Sequence, residues 1–212
     1  MIPVKYLDPE IPGYAIFTAF AICAYLTFEG AVLIVSPTMI QSALFNLGAM
    51  LAFFAMSIGY YQLFHELSPT SIRLHLAINL FGILLHFSCI PELMQVEVDV
   101  QKYWAGLYPA EACMALALIP LAHCLWHSPF TPRFLSVLYV AFGVLWLTCI
   151  VCWHFEVQID VLDWVMNLEG GAAQAALAIF LAKFTRNARR MQRERLTTTS
   201  RDVPSFRRST PP

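Results

Sequence analysis

Six long apolar segments alternate with short polar connections along the chain. The segments cover approximately residues 13–36, 40–65, 71–95, 105–127, 132–157 and 160–184. A bilayer core of about 30 Å needs roughly 20 mostly apolar residues per helix, and each segment is long enough. The pattern therefore predicts an all-α, polytopic membrane bundle of six transmembrane helices.

The connections carry residues that end or begin helices. Pro37, Pro69, Pro129 and Pro132 lie between the apolar segments. Proline fixes φ and lacks a backbone donor, which suits a helix boundary. The connection at residues 156–160 has no proline, and we place a break there because about fifty apolar residues cannot form one span.

The basic residues predict the orientation. Arg73 and Arg133 lie in the second and fourth connections, and nine of the thirteen Lys and Arg residues lie between Lys183 and Arg208. The other three connections contain only Lys102. Lys and Arg near the ends of membrane helices usually stay in the cytosol. Both termini are therefore predicted to be cytosolic.

The last part of the chain differs from the rest, since it is basic and rich in Ser, Thr and Pro. We predict a transmembrane domain at 1–184 and a basic, disordered cytosolic tail at 185–212. Hydrophobic residues make up 58% of the chain and charged residues 13%. A soluble domain has roughly 45–50% and about 25%, so composition also favours a membrane protein.

Composition also bears on partners and location. The net charge of −1 gives no reason to expect a nucleic-acid partner. Membrane lipid and a lipophilic small molecule are the expected partners, and a homodimer stays open. We expect an endomembrane location, in the endoplasmic reticulum rather than the plasma membrane.

Ionisable side chains inside a bilayer are costly and therefore usually functional. In the predicted orientation, the intramembrane carboxylates concentrate in the non-cytosolic half. The candidate catalytic residues of this half are Glu29, His86, Glu92, Glu111, Asp163 and Glu169. The candidate substrate-binding residues are Asn46, Tyr108, Trp146, Trp164 and Asn167. An ordinary position near the lipid headgroups is the alternative for Glu92, Glu111 and Asp163.

Two of these carboxylates lie deepest, Glu29 and Glu169, at about 10–13 Å from their helix ends for a rise of 1.5 Å per residue. Glu169 is the stronger candidate because it adjoins a run of small residues, 170–173, that lets helix backbones approach closely. Asp163, Asn167 and Gln174 recur at helical spacing and form one stripe, which Gly170 shares. Glu169 points about a third of a turn away from this stripe.

The first functional hypothesis is a membrane enzyme that acts on a lipophilic substrate. Away from water, the carboxylic acid of Glu29 or Glu169 can keep its proton and deliver it to a substrate. His86 or a second acid then accepts a proton elsewhere. Aromatic residues make up 14% of the chain, and their faces stabilise carbocations. This chemistry suits an isomerase or a terpene cyclase of lipid metabolism, with an isoprenoid or sterol as substrate.

The second hypothesis is a small proton- or cation-coupled transporter or channel. Intramembrane acids mark such pathways as well as they mark catalytic sites. No internal repeat is evident in the sequence, so an inverted-repeat transporter has no direct support.

The third hypothesis is a di-haem electron carrier. His65 lies at the same depth as His123 or His127, and His86 lies at a depth similar to that of His154. Histidine is a common axial haem ligand. Two haems held in this way would resemble the arrangement in the b561 cytochromes. The acid–base hypothesis needs no cofactor, and no motif with metal-ligand spacing is present.

Overall fold

A computed structural model describes residues 10–35, 39–94, 100–155, 157 and 159–201 of the chain. The helices are α1 (Glu10–Val35), α2 (Met39–Phe64), α3 (Pro69–Cys89), α4 (Val100–His127), α5 (Arg133–His154) and α6 (Asp160–Arg201). A short 3-10 helix, Ile90–Met94, follows α3. All six α-helices are long and apolar enough to cross a membrane. The predicted all-α bundle of six transmembrane helices is confirmed.

The six helices form a closed ring. Each helix packs against its neighbours in the chain, and α6 returns to pack against α1. Because consecutive helices run antiparallel, the α1–α2, α3–α4 and α5–α6 connections lie at one end of the bundle. We call the half of the bundle at this end the distal half. The other half, which contains the start of α1, is the proximal half. Which half faces the cytosol stays a prediction from the distribution of Lys and Arg.

Large side chains fill the proximal half of the ring. The fully buried residues there include Tyr60, Ile72, Leu121, Leu125, Leu135 and Leu181. Phe130 stacks on Phe64 with ring centroids 5.7 Å apart and contacts Phe184 at 4.7 Å. Interiors packed to this degree leave few voids larger than a water molecule. The proximal half is therefore a closed, mostly apolar core.

The outer surface of the ring is strongly apolar. The most exposed large side chains include Phe20, Leu84, Val161, Trp164 and Leu168. Soluble monomers rarely expose contiguous apolar surface of this extent. A helix that is apolar on its outer face as well as its inner face is typical of a membrane span. These side chains are placed to contact lipid.

Glycine allows one close helix contact next to the candidate site. A Cβ atom at Gly82 of α3 would lie 2.9 Å from the backbone carbonyl oxygen of Ala110 on α4. Small residues at such positions let membrane helices pack backbone to backbone. This contact holds α3 and α4 together one turn from His86 and Glu111.

The sixth helix runs through the boundary predicted at residue 184 and continues to Arg201. Thr185 and Ala188 are buried, and the Thr185 hydroxyl donates to the Pro12 carbonyl at 3.3 Å. With 42 residues, α6 is about 63 Å long at 1.5 Å per residue, more than a bilayer core requires. The part of the predicted tail beyond Arg201 lies outside the described residues.

Candidate active site

A cavity of about 520 Å³ lies between the helices in the distal half of the bundle. All six α-helices contribute side chains to its lining. Small-molecule pockets typically enclose about 300–1,000 Å³. The cavity is therefore large enough for a small-molecule substrate, and it lies inside the ring of helices.

Aromatic side chains form much of the cavity wall. The aromatic residues that line it are Tyr25, Phe53, Tyr103, Trp104, Tyr108, Phe142, Trp146 and Trp153. Several are in contact with each other: Phe142 and Trp146 stack at 5.3 Å, and Tyr25 lies 5.2 Å from Phe53. Paired rings restrict each other's rotation, so these two pairs hold their part of the wall in shape. It presents large π faces to whatever occupies the cavity.

Three carboxyl groups from three different helices line the same cavity. They belong to Glu29 of α1, Glu111 of α4 and Asp163 of α6. No Lys or Arg is among the described residues of the lining. Charges removed from water are usually paired, so an acidic lining without Lys or Arg favours cations and protons.

His86 of α3 is the only histidine in the described lining, and it is only 3% exposed. Its Nδ1 atom lies 3.4 Å from Oε1 of Glu111, within ion-pair range. The angles of that approach do not make a hydrogen bond, and neither ring nitrogen has a hydrogen-bond partner among the described residues. A buried polar group left without a partner costs about 1–3 kcal/mol. Such a cost is usually retained where the group serves a function.

Glu29 is half-buried at the distal part of α1 and borders the cavity. Within the described part of the chain, its carboxyl group makes no hydrogen bond and no ion pair. It differs in this respect from Glu111, which has His86 beside it. Among the three lining carboxyl groups, that of Glu29 is therefore the one without a hydrogen bond or an ion pair to a described residue.

Asp163 is held by the protein itself. The indole Nε1 of Trp153 donates to both carboxylate oxygens, at 3.0 and 3.3 Å. The Tyr108 hydroxyl in turn donates to the Trp153 backbone carbonyl at 3.4 Å. These contacts tie α4, α5 and α6 together at the cavity rim. Asp163 is thus placed to position aromatic side chains, because its oxygens already accept hydrogen bonds.

A polar cluster forms the proximal floor of the cavity. Gln174 lines the cavity, and its Oε1 accepts hydrogen bonds from Tyr139 at 2.8 Å and from Tyr60 at 3.3 Å. All three side chains are buried. Hydrogen-bonded buried groups fix the surrounding packing because an unmade bond there is costly. The cluster therefore gives the cavity a rigid lower boundary.

Eight of the eleven residues predicted from sequence come together in this cavity. They are Glu29, Asn46, His86, Tyr108, Glu111, Trp146, Asp163 and Asn167. The stripe on α6 faces inward over its whole length, since Gly170 and Gln174 also line the cavity. The chemical roles assigned to these residues stay predictions.

The other three predicted residues lie elsewhere. Glu169 is half-buried and does not line the cavity, because its offset from the inward stripe turns it toward the side of α6. Glu92 lies in the 3-10 helix, where Lys102 donates to its carboxylate. Trp164 is 77% exposed on the lipid-facing side of α6. This geometry places Glu29, rather than Glu169, in the cavity lining.

Several lining residues went unnoticed in the sequence, although helical spacing marks some of them. Trp153 follows Trp146 by seven residues on α5, which places both on one face. Tyr25 precedes Glu29 by four residues on α1 and shares its face in the same way. Phe142 likewise precedes Trp146 by four residues on α5. Tyr103 carries no such signal, because its inward direction depends on how α4 rotates against its neighbours.

Three of the other histidines, His65, His123 and His154, lie outside the cavity lining and contact neighbouring side chains or backbone. Nδ1 of His123 lies 3.0 Å from the Ser71 hydroxyl, and Nδ1 of His65 lies 3.0 Å from the Gln62 carbonyl oxygen. His154 is exposed and contacts the Tyr108 ring edge-on. Among the described residues, no three His, Cys or carboxylate side chains converge as metal ligands. The di-haem arrangement stays a hypothesis that an absorption spectrum of the purified protein tests.

The site can also be compared with known proteins. No protein-family model, curated protein or solved structure matches the chain. The chemistry of the cavity therefore has to be inferred from its own residues.

Proposed function

We propose that the chain is an integral membrane enzyme that isomerises or cyclises a lipophilic substrate, such as an isoprenoid or a sterol, by acid–base chemistry. The observation that supports this most is the placement of Glu29 and the His86–Glu111 pair in one aromatic-walled cavity. An acid, a base and a cation-stabilising wall are the three elements that such a reaction needs.

The reaction starts with the protonated Glu29 carboxyl. It donates its proton to one carbon of a substrate double bond, which forms a C–H bond and leaves a positive charge on the neighbouring carbon. Glu111, or His86 beside it, then removes a proton from an adjacent carbon, and that electron pair becomes the new double bond. The substrate gains one proton and loses one, so the product is an isomer and no redox cofactor is consumed.

Cyclisation uses the same two groups with one step between them. A second double bond of the substrate attacks the cation, and a carbon–carbon bond closes the ring before the proton is lost. The aromatic faces of Trp146 and Tyr25 stabilise the positive charge on its way, an effect worth about 2 kcal/mol or more when water is excluded. The closed proximal core helps, because water that reached the cation would capture it as an alcohol.

The test follows deuterium. The purified protein, reconstituted in vesicles, is incubated with isoprenoid and sterol extracts in D₂O, and products are analysed by liquid chromatography and mass spectrometry. We expect a product that has the substrate's mass in H₂O, a shifted retention time and one added deuterium per turnover in D₂O.

Glu29→Gln should abolish this product, while the matched control Glu66→Gln should retain it, because Glu66 is exposed at the proximal end of α2. An isomer without deuterium would contradict the acid–base mechanism. If Glu29→Gln formed the product at the rate of the unmodified protein, Glu29 would have no role in the mechanism.

The polar floor gives some support to a second candidate, a proton- or cation-coupled transporter. Below the cavity, Tyr60 contacts the ring of the buried His75 at 5.8 Å, so polar groups continue into the proximal half. Such a chain is one way to pass protons across the bundle. Proton flux into vesicles without any deuterated product would favour this candidate over the enzyme.

The orientation with both termini in the cytosol and the location in the endoplasmic reticulum also belong to the proposal. A lipid-modifying enzyme draws its substrate from the membrane around it, and the basic residues at the end of α6 suit the cytosolic side. Microscopy of a fluorescent fusion with an endoplasmic reticulum marker tests the location.

A further inference from the structure

A second concave site lies on the outside of the ring, between α4 and α5. It encloses about 730 Å³. Its lining is mostly apolar and aromatic, with the small residues Ala105, Pro109 and Ala112 on α4 facing Ile150 and Val151 on α5. We call it the α4–α5 groove. It lies on the outside of the ring at the distal ends of two candidate membrane spans, Lys102–His127 and Arg133–His154.

The groove and the central cavity share one wall. Trp104, Tyr108 and Trp153 line both. These three side chains therefore lie between the groove and the central cavity.

The wall is held by contacts that a side-chain rotation can break. Trp104 stacks on Tyr108 with ring centroids 5.9 Å apart. The Tyr108 hydroxyl reaches the Trp153 carbonyl at 3.4 Å, a distance typical of a weak hydrogen bond. Rotation of Tyr108 and Trp104 opens the wall without separating the helices.

Proline contributes to the shape of the groove. Pro109 lies inside α4 and cannot donate a backbone hydrogen bond to the carbonyl of Ala105, four residues earlier. A helix is bent or locally weakened where this bond is missing. Both residues line the groove, so the irregular turn of α4 coincides with the shared wall.

We propose that the α4–α5 groove binds the hydrocarbon tail of a membrane lipid and is the lateral entrance through which a lipophilic substrate reaches the cavity. The inference rests on the proposed function for the nature of the substrate. Three features support it: the apolar lining, the lipid-facing position and the wall shared with the cavity. A tail lying in the groove would place a reactive double bond beside Trp104 and Tyr108, next to the acids.

The test uses hexadecanol that carries a mid-chain diazirine. The full-length protein in phosphatidylcholine vesicles is irradiated with this probe, and labelled residues are identified by mass spectrometry. We expect labelling at Val151 and Ile150 that excess unlabelled hexadecanol suppresses. Leu84 and Leu168, which are exposed on other faces, should be labelled without such competition.

Variants that fill the groove sharpen the result. Ala105→Trp and Ala112→Trp should each abolish the competable labelling, and Ala105 is exposed enough to accept a larger side chain without unfolding the bundle. The matched control is Leu116→Trp, on the lipid-facing side of α4 outside the groove, which should leave the labelling unchanged. Where an isomerised product is found, Ala105→Trp should raise KM more than it lowers kcat.

The outcomes separate this inference from the proposed reaction. The inference would be overturned if excess hexadecanol suppressed labelling at Val151 no more than labelling at Leu84. The groove would then hold only ordinary surrounding lipid. Glu29→Gln should label like the unmodified protein, since labelling needs no catalysis. If hexadecanol suppresses the labelling but no deuterated product forms, the groove proposal is therefore supported and the proposed reaction is contradicted.

Discussion

Nδ1 of His86 lies 3.4 Å from Oε1 of Glu111, and this is the one close contact between a base and a carboxyl group in the described cavity lining. The two residues come from adjacent helices, α3 and α4, which Gly82 allows to pack closely. Groups this close act as a unit, so their contributions to catalysis should not be additive.

Substitution of this pair tests that coupling. Glu111→Gln and His86→Gln should each lower the rate of the deuterium-incorporating reaction by about 10²–10⁴, the usual range for loss of an acid–base group. The double variant should be no slower than the slower single variant. Rates from reconstituted protein at matched expression provide the measurement, and fully multiplicative losses would show that the two residues act separately.

Glu29 and Glu169 both lie far from a helix end, but Glu29 lines the cavity and Glu169 does not. The two carboxylates can therefore be compared directly. Glu→Gln preserves size and hydrogen-bonding capacity but removes the acid. We expect Glu29→Gln to be inactive and Glu169→Gln to keep most of its activity, since only Glu29 lines the cavity. If Glu169→Gln were inactive and Glu29→Gln active in the same assay, Glu169 rather than Glu29 would be the acid.

The acidic, aromatic cavity should prefer a positively charged ligand. An isoprenoid tertiary amine, protonated at neutral pH, resembles the cationic intermediate that the proposed reaction forms. We expect its inhibition constant to be at least about a hundredfold lower than that of its hydrocarbon isostere. Transition-state analogues bind more tightly than substrates by this factor or more. Inhibition constants for both compounds provide the measurement, and equal inhibition would mean that the cavity responds to shape alone.

The polar floor should contribute to stability rather than chemistry. Tyr139→Phe removes the 2.8 Å hydrogen bond to Gln174 and leaves its amide oxygen with one longer bond from Tyr60. We expect a loss of about 0.5–1.5 kcal/mol in the free energy of unfolding, a typical value for one buried hydrogen bond. Thermal unfolding in detergent measures it, with Tyr61→Phe as the control. An unchanged Tm with lost activity would instead assign the floor to proton transfer.

Orientation is tested by glycosylation. Acceptor sites engineered near Val98 and Gln158 should be modified in microsomes, because the distal connections are predicted to face the lumen. Sites near Ser71, Thr131 and the C-terminal tail should stay unmodified. A gel shift on glycosidase treatment reports each result, and a modified tail would reverse the orientation of the whole bundle.

The fold class and the number of helices can be predicted from the amino-acid sequence. Each apolar segment is long enough to span a bilayer, and the free energy of burying apolar side chains in lipid does not depend on which neighbour they meet. The inward stripe of Asp163, Asn167 and Gln174 was also readable, because helical spacing alone sets which residues share a face. The approximate depth of each acid followed from its distance to a helix end.

Which polar residues meet depends on how the six helices pack together. The rotation of each helix about its axis depends on packing against two neighbours at once, and no local pattern records it. The sequence made Glu169 the stronger candidate, but in the packed ring only Glu29 lines the cavity. The same packing brings His86 to Glu111 and places Trp104, Tyr108 and Trp153 between the cavity and the lipid. These contacts join residues far apart in the chain, so they arise only when the ring of helices closes.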